Sequence, residues 1–530
     1  MLRAVVDLPS EPRRPPIDRS GGGRYDAAMT VAEQLSPVQD DRLVVHDRSN
    51  GAVVAELPID SADAIVAAVA RARAAQPAWA ALGPGGRGKL LKRARKEMAR
   101  DRTEILNRLE RETGKARFDV VGELMGVCMD IGWLARRAPR WLAREKVSTR
   151  PLFGKRGHVH HRPRGIVGII SPWNAPLNLA LGDAVPALLA GNAVLIKPSE
   201  LTPLAVQRAC EALNRVLPAG VLQVVIGAGP AGAALVDQVD MVCVTGSPET
   251  GRRVMERASK RLTPVLLELG GKDPMIVCRD ADLDRAAAAA AWGGCMMTGQ
   301  VCMSVERVYV EEPVAAEFTA KLVERMRELR TGPNGPQAEI DFGPFTSARQ
   351  VETVERHLAD ARAKGARLLT GGSRIASPGG VFFEPTVLGG VDHSMSIMRE
   401  ETFGPVVPVM SVRDVDEAIR HSNDSPYGLN ASVWTGDVAR GIEIAERFES
   451  GNACVNECVI SAGVPALPFG GVKQSGVGTR HGGAEGLRQF CVKQAILVEP
   501  RKRKREPTWF PYSPKRASQI EKLIGWMFGL

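Results

Sequence analysis

Three side chains stand in loops where each could do chemistry: a thiol, a carboxylate and an amide. Cys302 lies in GQVCMS, Gly299 to Ser304. An ionised thiol is a strong nucleophile, although a small buried hydrophobe is the commoner use of cysteine. Glu268 opens ELGGKDP, just ahead of two glycines that permit a sharp turn and close backbone approach. A carboxylate held there and partly desolvated can act as a general base; a solvated surface glutamate has the same local sequence. Asn174 follows Trp173 in SPWNAP, between two prolines that stiffen the loop. Its amide can donate to a developing oxyanion or close an Asx turn.

A second group of residues suits a phosphate or a ribose. In VTGSPETG (244–251), Ser247 is a good N-cap and Pro248 a good first helical residue, with Gly246 and Gly251 on either side. A helix starting directly after a strand offers free N–H groups to a phosphate, or is a plain strand-to-helix turn. GAGPAG, from Gly227, satisfies G-x-G-x-x-G but lacks the acid expected about 20 residues downstream. Lys197 and Glu200 in KPSE could hold a ribose or form a solvated pair. EETFGPV (400–406) and PFGGVKQSGVG (468–478) are Gly/Pro-punctuated loops whose spacing declares no role.

The elements around these loops alternate. Residues 59–112 are Ala-rich, with Ile65, Ala68, Val69 and Ala72 at helical spacing. The runs GIVGII (165–170), AVLIKP (193–198), VLQVVIG (221–227) and MVCVTG (241–246) read as strands with helices between them, LNLALGDAVPALLAG ending at Gly191 among them. A second alternation uses PMIVC (274–278), RVYVEE (307–312), FFEPTVL (382–388), PVVPVMSV (405–412) and ASVWTG (431–436), with helices at 311–329 and 414–423. The pattern predicts two α/β domains joined near 270–275, with ligands at strand C-terminal ends. PLFGKRGHVHHRPRG (151–165) and FCVKQAILVEP (490–500) read as extended ribbons, a form often used in oligomer contacts.

Composition narrows the function classes. The chain has 530 residues, 44% hydrophobic and 25% charged, as in an ordinary globular protein of two or three domains. Its nine cysteines include no CxxC pair, and the histidines of HVHH (158–161) have no cysteine nearby, so neither a metal site nor a disulfide framework is expected. The first 26 residues break at Pro9, Pro12, Pro15 and Pro16, have no apolar core of a signal peptide, and read as a disordered extension over 1–30. Of the net charge of +10, +6 lies in residues 501–530, which leaves the body nearly balanced and argues against nucleic-acid binding. In that tail, Arg501 to Arg505 form a basic block, and Ile520, Leu523, Ile524 and Met527 share a helical face. It is too short to span a bilayer; it suits an anionic membrane surface or packing on the body or a partner subunit.

SPWNAP, KPSE, VTGSPETG, ELGGKDP, GQVC, EETFGPV, NDSPYGLNASVWT and PFGGVKQSG, in this order, resemble the aldehyde dehydrogenase superfamily from about residue 40 to 500. The resemblance implies NAD(P)-dependent oxidation of an aldehyde to a carboxylic acid. Cys302 matches the nucleophile. The Cys302 N–H and the Asn174 amide match the oxyanion hole, and Glu268 matches the base that activates water on the thioester. Trp173, Lys197, Glu200, Gly227, Gly246, Ser247, Gly251, Glu401 and Phe403 match the cofactor-binding positions. The implied fold has a Rossmann-like cofactor domain (31–150 and 166–273), an α/β catalytic domain (274–486), and a ribbon (151–165 and 487–500) for a homodimer or homotetramer, in a cytoplasmic enzyme whose tail could reach a membrane. Glu200 favours NAD over NADP, because a carboxylate accepts ribose hydroxyls and repels a 2′-phosphate.

The overall look is that of bacterial succinate-semialdehyde enzymes, yet their usual arginine positions hold Met296 and Gly182. With Leu177 and Val301, these predict a roomy apolar tunnel for an aliphatic or aromatic aldehyde rather than an acid-bearing one. Succinic semialdehyde, CoA-acylating oxidation and a catalytically inactive relative are the alternatives. Glu268 argues against the second, and the complete set Cys302, Glu268 and Asn174 against the third.

Overall fold

The computed structural model describes residues 37–529 except 40, 151, 153, 378, 503, 507 and 508; the extension expected over 1–30 lies outside them. Apolar runs bounded by turn residues become the strands of two parallel sheets. In the first, the spatial order is Gly476–Val477, Val265–Glu268, Met241–Thr245, Ile166–Ile170, Ala193–Lys197, Leu222–Val224. All pairs are parallel except that of Gly476–Val477 with Val265–Glu268. Strands covered on both faces need no polar alternation, and Ile166–Ile169 and Ala193–Lys197 are buried throughout. The helix Pro176–Ala190 starts with proline in its first turn and ends on Gly191 at φ 101°, a left-handed stop.

The second sheet has the order Arg367–Thr370, Thr386–Gly389, Val406–Val412, Val305–Glu311, Asp273–Val277, Ser432–Trp434, Cys454–Val455. Only its first pair is antiparallel. The ribbon segments pair antiparallel, Cys491–Val498 against Arg156–Pro163, with Glu145–Val147 as a third strand. The Ala-rich region resolves into helices Ala62–Ala81, Gly83–Arg100 and Arg102–Thr113, followed by a long helix Arg117–Trp141.

Three local readings change. The 221–227 run is strand only over Leu222–Val224. FFEPTVL is two strands: Phe382–Phe383 pairs with Arg374–Ile375 in a separate hairpin, and Pro385 precedes Thr386–Gly389 in the main sheet. Glu268 ends a strand, Val265–Glu268, rather than sitting in an open loop.

The sheets are stitched together beside Glu268. Gly476 and Val477 lie opposite Glu268 and Leu267. Leu269 N donates to Ser475 O at 2.8 Å, and Ser475 Oγ donates to Gly270 O at 2.7 Å. A chain segment from beyond the second sheet therefore edges the first. Two glycines then allow the Cys302 loop to close in: a Cβ on Gly271 would lie 2.3 Å from the Cys302 carbonyl oxygen, and Gly299, at φ 70°, would place one 2.2 Å from Gly404 O. Gly271→Ala must shift the thiol loop. We expect turnover to fall about a hundredfold, with a drop in Tm of several degrees, read by aldehyde-dependent NADH formation beside a thermal melt; unchanged turnover would show that the loop does not depend on this contact.

Candidate active site

The thiol loop follows the helix Leu283–Cys295 through a kinked turn, Met296–Gly299, in which Met297 and Thr298 adopt φ of 51° and 64°. Non-glycine residues hold this left-handed conformation only when their surroundings impose it. Here Thr298 Oγ1 donates to Gly343 O at 3.0 Å, Gln300 Oε1 accepts from Thr346 N at 3.1 Å, and Ser304 Oγ donates to Gly293 O at 3.0 Å. The result is a half-buried Cys302.

Asn174 is buried beside it, and its Nδ2 donates to Gln300 O at 2.9 Å. One N–H is thus anchored and the amide has a second. Its position depends on Glu123 of helix Arg117–Trp141, which accepts from the N–H groups of Leu177 and Asn178 at 3.2 and 3.1 Å. Those are first-turn donors with no partner inside their own helix. Glu123 is itself paired with the buried Lys115.

Glu268 is 1% exposed. Its Oε2 lies 3.3 Å from Arg480 Nη1, while Arg480 Nη2 donates to Asp183 Oδ2 at 2.7 Å and to Thr245 Oγ1 at 2.6 Å. Burial raises the Glu268 pKa, and Arg480 pulls against that rise. Burial works against the charge of Arg480, but Asp183 and Glu268 together hold its pKa up. Burial also pushes the Cys302 thiol well up, and the neighbouring Glu268 carboxylate pushes it further. Oε1 of Glu268 is buried without a conventional hydrogen bond among the described residues, and the Cys302 thiol is one of the groups acting on this carboxylate. The arrangement suits proton transfer from thiol to carboxylate. Sequence reading missed Arg480: it stands in TRHGG, 212 positions from Glu268, and no local spacing links the two.

The ribose and phosphate positions gather along the C-terminal ends of the first sheet. Lys197 Nζ donates to Pro198 O and Gly227 O at 2.9 and 2.8 Å and lies 3.5 Å from Glu200, whose side chain is partly exposed. Ser247 caps the helix Pro248–Ser259, its Oγ accepting from Thr250 N at 3.2 Å. Gly246 N donates to Glu268 O at 3.1 Å, and no atom comes closer than 3.8 Å to where its Cβ would stand. Side chains would intrude at Gly227 and Gly251, 2.5 Å from the Ala231 methyl and 2.9 Å from the Leu269 methyls. An exposed helix start, an acceptor carboxylate and an open glycine fit the phosphates and ribose hydroxyls of a dinucleotide.

Nearer the thiol, the rings of Trp173 and Phe403 meet edge to face at 5.5 Å. Phe403 is held at φ 53° while Glu306 accepts from Thr402 N and Phe403 N at 2.7 and 2.8 Å. Glu401 Oε1 accepts from Gly271 N at 3.0 Å, and burial, with Glu306 adding to it, lifts its pKa to about 8.

Cys302, Asn174 and Glu268 all line one cavity of about 290 Å³. Its walls are mostly apolar, with Trp292, Met296, Met297, Val301 and Ile460 among them, and Gly182 leaves open space where an arginine would stand. The Leu177 expectation is wrong. Leu177 is fully buried in the core behind the helix, because the helical register turns Asn178, Leu179 and Gly182 to the cavity instead. Arg480 and His481 also line it; the loop after Asn456 does so through Val459 to Gly463. A neighbouring cavity of about 610 Å³ continues that loop through Val464 and Pro465, against Met129 and Trp133 and the cations Lys92, Arg95 and Arg136.

Residues 36–496 match the aldehyde dehydrogenase family. The chain is similar to the 4,4'-diapolycopene aldehyde oxidase of a Methylomonas species, 40% identical over 94% of this chain and 92% of that one. It is 41% identical to a Mycolicibacterium smegmatis protein described as an NADP-dependent succinate-semialdehyde dehydrogenase, over 84% of this chain and 87% of that one. A Mycobacterium tuberculosis aldehyde dehydrogenase solved with NAD+ superposes with a TM-score of 0.82 at 35% identity, over 87% of this chain and 96% of that one. With its motifs in the family's order and its two parallel sheets matching these folds, the chain belongs to the aldehyde dehydrogenase family, NAD(P)-linked oxidoreductases acting on aldehydes.

Proposed function

We propose that the protein oxidises an apolar aldehyde to its carboxylic acid through a thioester on Cys302. The observation that carries this is the convergence of a nucleophile, a donor amide and a buried carboxylate on one end of an apolar cavity. Cys302 Sγ adds to the carbonyl carbon as its proton passes to Glu268. The oxygen that becomes negative is met by the Asn174 amide and the Cys302 N–H, both in place beforehand. Bound NAD(P)+ supplies the hydride acceptor. Once Glu268 has released the thiol's proton to solvent, it takes a proton from the water that attacks the thioester and returns it to the departing Cys302 sulfur, leaving acid and thiol. Arg480 keeps a buried carboxylate ionisable for this work.

Lys197, Glu200, Ser247 and the open Gly246 would hold the cofactor's adenosine and phosphate half, with Trp173, Glu401 and Phe403 at the other. The Glu200 carboxylate favours NAD. The cavity supports an aliphatic or aromatic substrate. Among the described residues that line it, the one Lys or Arg is Arg480, which is already held between two carboxylates and so is not available to an acid-bearing substrate. Likeness to the Methylomonas protein named a 4,4'-diapolycopene aldehyde oxidase supports this choice. Likeness to succinate-semialdehyde enzymes favours the second reading. The ribbon, with Val492 and Leu497 exposed, supports a homo-oligomer.

Three measurements test this. Cys302→Ala should abolish NADH formation. Glu268→Gln should leave a burst of NADH stoichiometric with active sites and then slow turnover about 10²–10⁴-fold; equal loss of burst and steady state would remove Glu268 from hydrolysis. A base whose pKa is raised works only at higher pH, so weakening its cation in Arg480→Lys should move the acid limb of kcat upward in pH; a limb that stays in place would separate Arg480 from the base.

On a panel from succinic semialdehyde to decanal and benzaldehyde, the apolar members should turn over best, and Gly182→Arg should depress them selectively. Turnover confined to succinic semialdehyde would favour the second reading. With cofactor varied, NAD should be preferred, and Glu200→Gln should raise kcat/KM with NADP; a native preference for NADP would refute the assignment of Glu200.

A further inference from the structure

The C-terminal helix Pro514–Phe528 is unlike every longer helix in the protein, because none of its residues is buried. It is nonetheless finished at both ends. Ser513 Oγ accepts from Arg516 N at 3.3 Å, Pro514 opens the first turn, and Gly529 closes it at φ 69°. Ile520, Leu523, Ile524 and Met527 fall on one face and are between 47% and 58% exposed. Trp526 and Phe528 are more exposed still, and Trp509, Phe510 and Tyr512 add aromatic surface just before the helix. So much large apolar surface on a single exposed segment marks an interaction site.

Charge identifies the partner. Lys515 and Lys522 lie on the side of the helix away from the apolar face; Arg516 falls on the apolar face itself, in the first turn ahead of Ile520, where its long stem can lie along apolar surface with the cation in water. Lys502, Lys504 and Arg505 precede it. The segment does not hang loose from the body: Lys155 on the ribbon side holds Glu506 at 2.9 Å and Glu499 at 3.2 Å. The cations therefore lie within a short tether of a fixed point. At 15 residues the helix is about 22 Å long, and among the described residues no helix is long and apolar enough to cross a membrane. A short, capped, basic amphipathic helix bearing aromatic residues matches the interface of an anionic bilayer, where apolar side chains enter the acyl boundary and cations meet headgroup phosphates.

We propose that residues 502–529 dock this protein flat on an anionic lipid surface. The docking holds the whole enzyme at the phase in which long apolar aldehydes concentrate, but it stands on the tail alone and does not depend on the substrate assigned above.

The test is vesicle flotation with the full-length protein. Vesicles containing phosphatidylglycerol should carry it up, pure phosphatidylcholine vesicles should not, and raised salt should release it. Leu523→Ser and Ile524→Ser should each weaken binding on the order of tenfold. A variant with Lys502, Lys504 and Arg505 all changed to Gln should lose the preference for anionic lipid. Turnover of benzaldehyde in solution should be unchanged in all of them, which reports that the variants are folded whatever the tail does. Absence of flotation on anionic vesicles, or flotation indifferent to the serine variants, overturns the proposal. So does a fall in solution mass of the serine variants by light scattering without any lipid binding by the parent, since the face would then be covered by a second copy of the chain.

Discussion

Two carboxylates and one guanidinium, all buried, set the terms for the site. Arg480 stands between Glu268 and Asp183 with side chains 6%, 1% and 5% exposed. Taking such charges out of water is costly, and removing one partner of a buried pair destabilises a protein by about 3–5 kcal/mol. The arrangement is therefore poor value as a source of stability but well suited to chemistry. One cation shared by two anions leaves the set short of positive charge, so burial wins at Glu268 and its pKa rises. Burial first, and then the neighbouring Glu268 carboxylate, keeps the Cys302 proton in place. Arg480 thus opposes the rise at Glu268, and Thr245 Oγ1, at a strand end of the first sheet, fixes where that guanidinium sits.

Around this charged centre the backbone is held in conformations it would not choose. Met297, Thr298 and Phe403 all have positive φ, and such positions cost on the order of 1–3 kcal/mol each. They flank the thiol and the Thr402–Phe403 turn and occur where buried polar ties are dense: Thr298 to Gly343, Gln300 to Thr346, and Glu306 to the N–H groups of Thr402 and Phe403. Lys272 joins the same network through Glu306 Oε2 at 2.6 Å. The GGK and TFG motifs are therefore two halves of one clamp, although 130 positions separate Lys272 from Thr402.

Much of this was legible in the sequence because strands and caps are local. Ser247-Pro248 announces its helix, Gly191 ends another, and β-branched runs mark the central strands. Cys302, Asn174 and Glu268 could each be singled out from their turns, but choosing between function and bland packing required the resemblance, since no turn reports what lies opposite it. Arg480 was illegible for that reason: its meaning comes entirely from partners hundreds of positions away. Leu177 was misplaced for a different one. Its apolar side chain was read as part of a roomy tunnel, whereas a helix turns 100° per residue and sends position 177 into the core. Val265–Glu268 escaped notice because four residues running into a glycine pair read equally well as a loop.

The two-residue pairing of Gly476–Val477 with Leu267–Glu268 has a mechanical meaning. In many two-lobed enzymes, ligand exchange proceeds by swinging the lobes apart about a flexible joint. Here that swing would unzip a ladder that includes Glu268 itself, and would also pull Ser475 from Gly270 and Leu269. The tie between the two sheets thus runs through Glu268. A seam at this place resists separation of the two sheets beside Glu268, while the loop that borders the cavity through Val459 and Gly463 takes no part in the ladder.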